Sequence, residues 1–424
     1  MANVQPLRAL YPDQAVAGPM QVLASPPYDV IDEAQREELA ARSPHNAVHV
    51  DLPRAPDGGD PYAHAATLLR AWEAEGALVR DARLALWPLR QDYTGPDGRA
   101  RRREGFLARV RVEAYGPGRI RAHERTHPGP KEDRLRLTRA TRANLSPIFA
   151  LFSDPEGAAR AALEPATQGE PFAQVTDEQG TTHRLWRTAD PQAIEAVIAA
   201  AAPAELLIAD GHHRYETARA YAEEVGSHEG PHRWVLMCLV ALEDPGLTVF
   251  PTHRLVRDTT PAQQEALADA LRRDFDLEEV ALQDVVPPAG DGPPVFGYLD
   301  AHFKRAFRAT LRDPAAVDAT LAAEPAAYRA LDTAVLEALL LTGPLEFTEE
   351  RIAHLDGLGY ARDDDEARDL VLSGAYDLGF FLRPTPMDQV RAIAAAGATM
   401  PPKSTFFFPK VPTGLLFNSL EDRD

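Results

Sequence analysis

Residues 205–219 read Glu-Leu-Leu-Ile-Ala-Asp-Gly-His-His-Arg-Tyr-Glu-Thr-Ala-Arg. Leu206–Ala209 is an apolar run of strand length, and Asp210-Gly211 ends it sharply. Tyr215, Ala218 and Tyr221 then recur at helical spacing. The stretch predicts a buried strand, a tight turn over Gly211–Arg214 and a helix. Free backbone N–H groups at a helix start favour an anion, and glycine lets a ligand approach the main chain. Arg214 adds a fork that matches phosphate oxygens, and His212 and His213 add donors or proton carriers. Asp210, at the strand end, is placed to hold Mg²⁺ or to accept a proton from a hydroxyl. A plainer reading stands beside this one: a capped helix whose histidines satisfy neighbouring carbonyls.

Outward from this stretch the pattern stays mixed. Helical spacing is readable over 31–42, 60–76, 132–144, 190–201, 261–273, 327–340 and 386–396. Strand-like runs cover Leu84–Arg90, Phe106–Val112, Ile148–Phe152, Trp234–Leu242, Val295–Leu299 and Leu378–Leu382. The first two flank Thr94-Gly-Pro-Asp-Gly98, which reads as the turn of a long hairpin. The basic run Arg99-Ala-Arg-Arg-Arg103 sits at that tip and reads as solvated surface, and Asp363–Glu366 reads as a solvated helix start. The fold class is mixed α/β, sheets with helices. An N-terminal part, 1–200, carries a His-Glu segment. A C-terminal part, 201–424, carries the phosphate turn and a Lys-Ser-Thr segment.

Composition narrows the partners. The chain has 424 residues, 45 Lys plus Arg against 64 Asp plus Glu, and a formal net charge of −19. So acidic a surface repels phosphate backbones and anionic membranes, so neither nucleic acid nor membrane is expected as a partner. A single cysteine, Cys238, excludes a disulfide framework and a four-cysteine zinc site. It lies in the apolar run Trp234–Leu242, far short of the roughly 20 residues a membrane span needs. The N-terminus, Met-Ala-Asn-Val-Gln-Pro, lacks the apolar region of a secretory signal, so a cytoplasmic location is expected. Oligomeric state is left open.

Asp210-Gly-His-His-Arg-Tyr-Glu-Thr-Ala218 resembles the phosphate-binding box of the ParB/sulfiredoxin superfamily, a glycine–arginine turn that cradles nucleotide phosphates. The wider chain resembles a large, mostly uncharacterised bacterial family. The shared stretches are Ser25-Pro-Pro-Tyr-Asp-Val-Ile31, His123-Glu-Arg-Thr126, Lys131-Glu-Asp-Arg134 and Asn144-Leu-Ser-Pro-Ile-Phe149. Pro251-Thr-His-Arg254 and Met400-Pro-Pro-Lys-Ser-Thr-Phe-Phe-Phe-Pro-Lys-Val-Pro-Thr-Gly-Leu415 complete them. The resemblance implies a ParB/sulfiredoxin-like phosphate-binding core in a larger two-part chain. Sulfiredoxin-like repair needs a cysteine next to the arginine of the box, where this chain has His213. ParB-like partition proteins need a basic DNA-binding surface, which the net charge disfavours. The box is also similar to that of free serine kinases, which move phosphate to a small hydroxyl amino acid.

Other candidates follow from these stretches. Lys403, Ser404, Thr405 and Lys410 can bind phosphate oxygens; alternatively Phe406–Phe408 is a buried edge strand between solubilising lysines. Asp29, His123, Asn144, His253 and Arg254 are candidate substrate contacts, though an Asx turn would also account for Asp29. His123-Glu-Arg-Thr-His127 matches the zinc-hydrolase pattern, which requires both histidines on one continuous helix, and Pro128-Gly-Pro130 follows at once. In the resembling family this stretch is His-Glu-x-Thr without a required second histidine, which singles out His123 and Glu124 and makes Glu124 a candidate general base.

The leading expectation is a phosphotransferase. It would move phosphate from ATP, ADP or pyrophosphate, with Mg²⁺, to a small hydroxylated metabolite, L-serine among them. Glu124, Asp210, His212 and His213 are its expected catalytic residues, and Gly211, Arg214, Lys403, Ser404, Thr405 and Lys410 its phosphate contacts. Two alternatives are a non-enzymatic nucleotide- or polyphosphate-binding regulator and a zinc-dependent hydrolase.

Overall fold

A computed structural model describes residues 2–95, 98–117, 119–124, 128–290 and 292–421. The fold is mixed α/β. The chain divides into two compact units, each assembled from non-contiguous segments. One comprises Met1–Ala122, Thr126–Leu247 and Pro409–Asp424, the other His123–Arg125 and Thr248–Phe408.

The first unit is built on a nine-stranded sheet. Its strands are β1 (Val4–Gln5), β2 (Trp87–Thr94), β3 (Ala100–Arg111), β4 (Ile120–Ala122), β5 (Ile148–Phe152), β6 (Ala173–Thr176), β7 (Thr182–Leu185), β8 (Leu206–Asp210) and β9 (Trp234–Ala241). The order is β4-β8-β5-β9-β3-β2-β7-β6, with β1 added alongside β3. Parallel pairs (β4 with β8, β5 with β9) alternate with antiparallel ones, so the sheet is mixed. The principal helices are α1 (Glu33–Arg42), α2 (Pro61–Ala74), α3 (Pro128–Thr141), α4 (Ala158–Leu163), α5 (Pro191–Ala201) and α6 (His212–Val225). Every residue of β5 is buried, which explains why it reads as a continuous apolar run: both faces of the sheet are covered there. Ile148, Ala150, Phe152, Leu206, Ile208 and Met237 share one core with Tyr215 and Ala218 of α6 and Val197 and Ala201 of α5.

The hairpin read at Thr94–Gly98 is present: β2 and β3 pair from Trp87↔Leu107 to Thr94↔Ala100. The basic run beside it is not uniformly surface. Strand alternation sends Arg103 inward, where it is fully buried, whereas Arg102 is exposed. Arg103 Nε donates to Gln91 Oε1 at 2.9 Å, its NH2 bonds the Pro409 carbonyl, and its guanidinium lies 4.4 Å from the Phe149 ring centre. Burial pulls its pKa down to about 10.

The second unit has a six-stranded antiparallel sheet of β10 (His253–Val256), β11 (Phe275–Val280), β12 (Val295–Asp300), β13 (Ala306–Leu311), β14 (Leu358–Ala361) and β15 (Leu378–Phe381). Its order is β11-β13-β12-β15-β10-β14. Helices α7 (Pro261–Asp274), α8 (Asp364–Leu372) and α9 (Met387–Ala395) belong to it, and Phe275, Phe296, Leu336, Leu340 and Phe380 form part of its core. Phe406–Phe408 is a buried strand paired with Thr248–Phe250, as the plainer reading of that segment has it, but of its two lysines only Lys403 is exposed, and Lys410 is held in an ion pair. Asp363 caps α8 by accepting the Glu366 N–H, so the acidic run is a helix start. The single helix expected over 327–340 is broken instead. Ala326–Arg329 and Asp332–Leu336 are separate turns, and Glu337–Leu341 is a π-helical turn. Leu331 is extended between them because Asp332 is held from outside, by the Val295 N–H at 3.1 Å and by Arg383 at 2.7 Å.

Candidate functional site

The strand–turn–helix of residues 206–225 forms as expected. Gly211 sits at φ +90°, a left-handed conformation, and a Cβ there would lie 2.9 Å from Arg214 Nε. Only glycine meets both demands without strain. No side chain caps α6, so the first-turn amides of this 14-residue helix keep their affinity for an anion.

Arg214 and Lys410 converge on one carboxylate. Arg214 NH2 lies 2.5 Å from Asp210 Oδ2, and Lys410 Nζ pairs with Asp210 Oδ1. Arg214 NH1 also donates to the Pro147 carbonyl. Burial alone would raise the Asp210 carboxyl, but the Lys410 and Arg214 charges overturn that and hold it well below the usual carboxylate range. Two cations thus meet one carboxylate at the turn, with the Asp29 and Asp51 charges also felt at Arg214. Lys410 is fixed at its backbone as well, where Gln91 Nε2 donates to its carbonyl at 3.0 Å. Behind Gln91 the chain of bonds continues to His183 Nδ1 (2.9 Å) and from His183 Nε2 to Asp177 (2.9 Å).

Beside Arg214 a cleft of about 40 Å³ is lined by Tyr28, Arg134, Asn144, Ser146 and Thr217. At ~10–15 Å³ per water that is room for a few waters or one small ion, not for a nucleoside. Thr217 Oγ1 and Arg214 Nε are buried there with no hydrogen-bond partner among the described residues, so polar occupancy is favoured. Arg134 lies 4.3 Å over the Tyr28 ring and donates to the Asp51 backbone carbonyl at 2.6 Å. Burial pushes the Tyr28 hydroxyl up to about 12 despite Arg214 nearby. Asp29 is exposed, and its charge is felt at Arg214. Asn144 Oδ1 accepts from the Leu236 N–H and from Asn418.

The sequence reading missed Asp51, which is buried and accepts the Ser146 hydroxyl at 2.7 Å. Nothing in Val48-His-Val-Asp51 marks it, because its partners come from distant segments. Arg103 and Gln91 were missed for the same reason.

In the second unit the His-Glu segment meets the Lys-Ser-Thr segment. His123 Nε2 lies 2.8 Å from Thr405 Oγ1, the Met400 N–H donates to the His123 carbonyl at 2.7 Å, and the Lys403 N–H donates to Glu124 Oε1 at 2.7 Å. Arg254 donates to the Pro402 (2.9 Å) and Lys403 (3.2 Å) carbonyls. Ser404 Oγ is used internally, bonding the Pro401 carbonyl and Thr333. Lys403 is exposed, with φ +58°. Both ring nitrogens of His253 are taken, Nδ1 by the Leu382 N–H at 3.1 Å and Nε2 by Asp364 at 2.8 Å.

Two chemical expectations meet this geometry poorly. His123 is not helical and Glu124 forms a strand-like bridge with Met400, so the helical face required by the zinc-hydrolase pattern is not formed there; His127 lies outside the described residues. Asp210 also fits Mg²⁺ poorly, because each of its oxygens faces a cation that a metal would have to displace. Among the described residues no three His, Cys, Asp or Glu gather as a metal-binding group. No described helix is long and apolar enough to cross a membrane.

Fold and turn together define a mixed α/β protein with a strand-to-helix turn suited to an anion. The chain belongs to the family described as "Protein of unknown function (DUF1015)", whose pattern matches residues 4–334. No curated protein matches it. Among solved structures, it is similar to a conserved hypothetical protein from Pyrococcus furiosus (13% identity, TM-score 0.38, covering 72% of this chain and 93% of that one). Free serine kinase in complex with AMP gives 12% identity and a TM-score of 0.37, covering 73% and 92%. SbnI with a C-terminal truncation, from Staphylococcus aureus, gives 11% identity and 0.36, covering 75% and 90%.

Proposed function

We propose that the protein is a phosphotransferase that moves phosphate from ATP, ADP or pyrophosphate to a small hydroxylated metabolite, with L-serine the first acceptor to test. The observation that supports this reading is the convergence of Arg214 and Lys410 at the uncapped start of α6, beside a glycine whose missing side chain lets the Arg214 guanidinium lie against the turn. Phosphoryl transfer asks mainly for positioning and charge neutralisation, which first-turn amides, a guanidinium and an ammonium supply. In the reaction the acceptor oxygen bonds to phosphorus as the bond to the leaving phosphate breaks, and the hydroxyl proton passes to a carboxylate. With its pKa held low by two cations, Asp210 is a weak base and acts instead to hold Arg214 and Lys410 in place. Glu124 is then the candidate base, and His212 and His213 at the turn are candidate proton carriers. No step is assigned to a metal ion.

Phosphorus NMR of the full chain with each donor, with and without L-serine and other hydroxyl metabolites, tests the proposal. The expected result is donor consumption that depends on the acceptor. Donor binding without turnover would replace it by the regulatory reading, and absence of donor binding would overturn both.

A further inference from the structure

A second cleft, of about 200 Å³, lies in the first unit and shares no lining residue with the phosphate turn. It opens over the sheet where β2, β3 and β9 meet α4. Leu89, Phe106, Phe152, Leu163 and Leu239 give it an apolar floor. Gly105 lies against β9, where a Cβ would come within 2.5 Å of the Leu239 carbonyl.

The charges around that floor are unevenly matched. Five carboxylates (Glu104, Asp154, Glu164, Glu243 and Asp244) line the cleft against two guanidiniums, Arg90 and Arg160. Both arginines are committed to one acid: Glu104 takes Arg90 Nε on Oε1 and Arg160 Nε on Oε2, each at 2.8 Å. Asp154 accepts the Ala158 and Ala159 N–H groups and so caps α4. Glu243 accepts the Ser153 hydroxyl at 2.9 Å and the Asp154 N–H at 2.8 Å. Asp244 accepts the Glu104 and Gly246 N–H groups at 3.2 and 2.9 Å. Among the described residues neither Glu243 nor Asp244 forms an ion pair.

We infer that this cleft is a binding site for a small organic amine, with an apolar or aromatic body on the Phe106–Leu239 floor and an ammonium group at Asp244 and Glu243. Burial raises the Asp244 carboxyl above its ordinary value, and neither the two amides nor the Arg103 charge fully offsets this, so a cation at that end supplies the missing compensation. An anionic ligand would meet surplus carboxylates and two arginines already paired. The volume suits a metabolite rather than a peptide or nucleotide. This inference does not rest on the phosphotransferase reading.

Calorimetric titration of the full chain with phenethylamine, phenethyl alcohol and hydrocinnamate tests it. The amine should bind at least about tenfold more tightly than the alcohol, the worth of one charged contact, with the acid weakest. Asp244→Asn should remove the preference for the amine while leaving weak binding of both. Ala241→Phe, which fills the cleft from β9, should abolish binding of both. Should that variant fail to fold by circular dichroism, Thr167→Trp at the mouth serves in its place. Equal affinity for amine and alcohol, no binding at all, or binding that survives the plugged variant would overturn the inference. So would amine binding lost in Arg214→Ala but kept in Ala241→Phe.

Discussion

Lys410 closes on Asp210 from two hundred residues further along the chain, taking the carboxylate oxygen that Arg214 leaves open. Neither contact is a surface ion pair, since all three side chains are at most 16% exposed. Buried pairs contribute little against a well-packed apolar alternative, yet losing one partner strands the others without water. Asp210 thus controls where two cations stand.

Asp210→Asn keeps the shape and strands both cations, so it should destabilise the protein at neutral pH by about 3–5 kcal/mol. Because the folded carboxyl is held low, its contribution is complete above the unfolded value near pH 4 and is lost as pH falls towards the folded value. Urea midpoints of wild type and variant should therefore converge between about pH 5 and pH 2. Parallel curves would show that the charge contributes nothing.

Arg214→Ala should weaken pyrophosphate or ADP binding by about 1.5–3 kcal/mol, the worth of a charged hydrogen bond. Gly211→Ala should act on the same ligand indirectly. The left-handed backbone costs a β-carbon ~1–2 kcal/mol, and the methyl would push against Arg214 Nε. Calorimetry on folded variants checks both, and an unchanged affinity in Arg214→Ala would remove the turn from the binding site.

Much of the architecture is legible locally. β5 runs over Ile148–Phe152, as read, because an unbroken apolar run of strand length, opened by Ser146-Pro147 and closed by Ser153-Asp154, is too short for a helix. β8 and the α6 turn follow from Asp210-Gly211 for the same reason. What pattern alone cannot carry is partnership at long range. Arg103 reads as surface because its Gln91 and Pro409 contacts are invisible to a local window. The break at Leu331 depends on Arg383 and Val295. Asp210 and Lys410 were each singled out, but nothing in either stretch pairs them.

Cys238 should prove structural. It is fully buried in β9, and burial pushes its thiol up to about 12. The native protein should resist an aromatic disulfide reagent near pH 8 and release one equivalent on unfolding. Cys238→Ser should lose about 1–3 kcal/mol for its buried hydroxyl, with activity per folded molecule unchanged. Abolished turnover at native stability would reopen thiol chemistry.

Glu124 offers a cleaner separation of structure from chemistry. Its Oε1 accepts the Lys403 N–H at 2.7 Å, and a glutamine can present the same oxygen to the same donor. Glu124→Gln should therefore cost less stability than Glu124→Ala, although it removes a negative charge felt at the buried Arg254 guanidinium. It cannot take a proton from a hydroxyl, so turnover should fall by about 10²–10⁴-fold with donor affinity little changed. Glu124→Ala removes the acceptor too and frees the Lys403 amide, so it should lower stability as well as rate. The contrast between the two variants carries the test. Loss of rate in both, with the larger loss of stability in alanine, assigns proton transfer to the carboxylate. Full turnover in Glu124→Gln would place the base elsewhere and leave the phosphate turn to be judged on Arg214 alone.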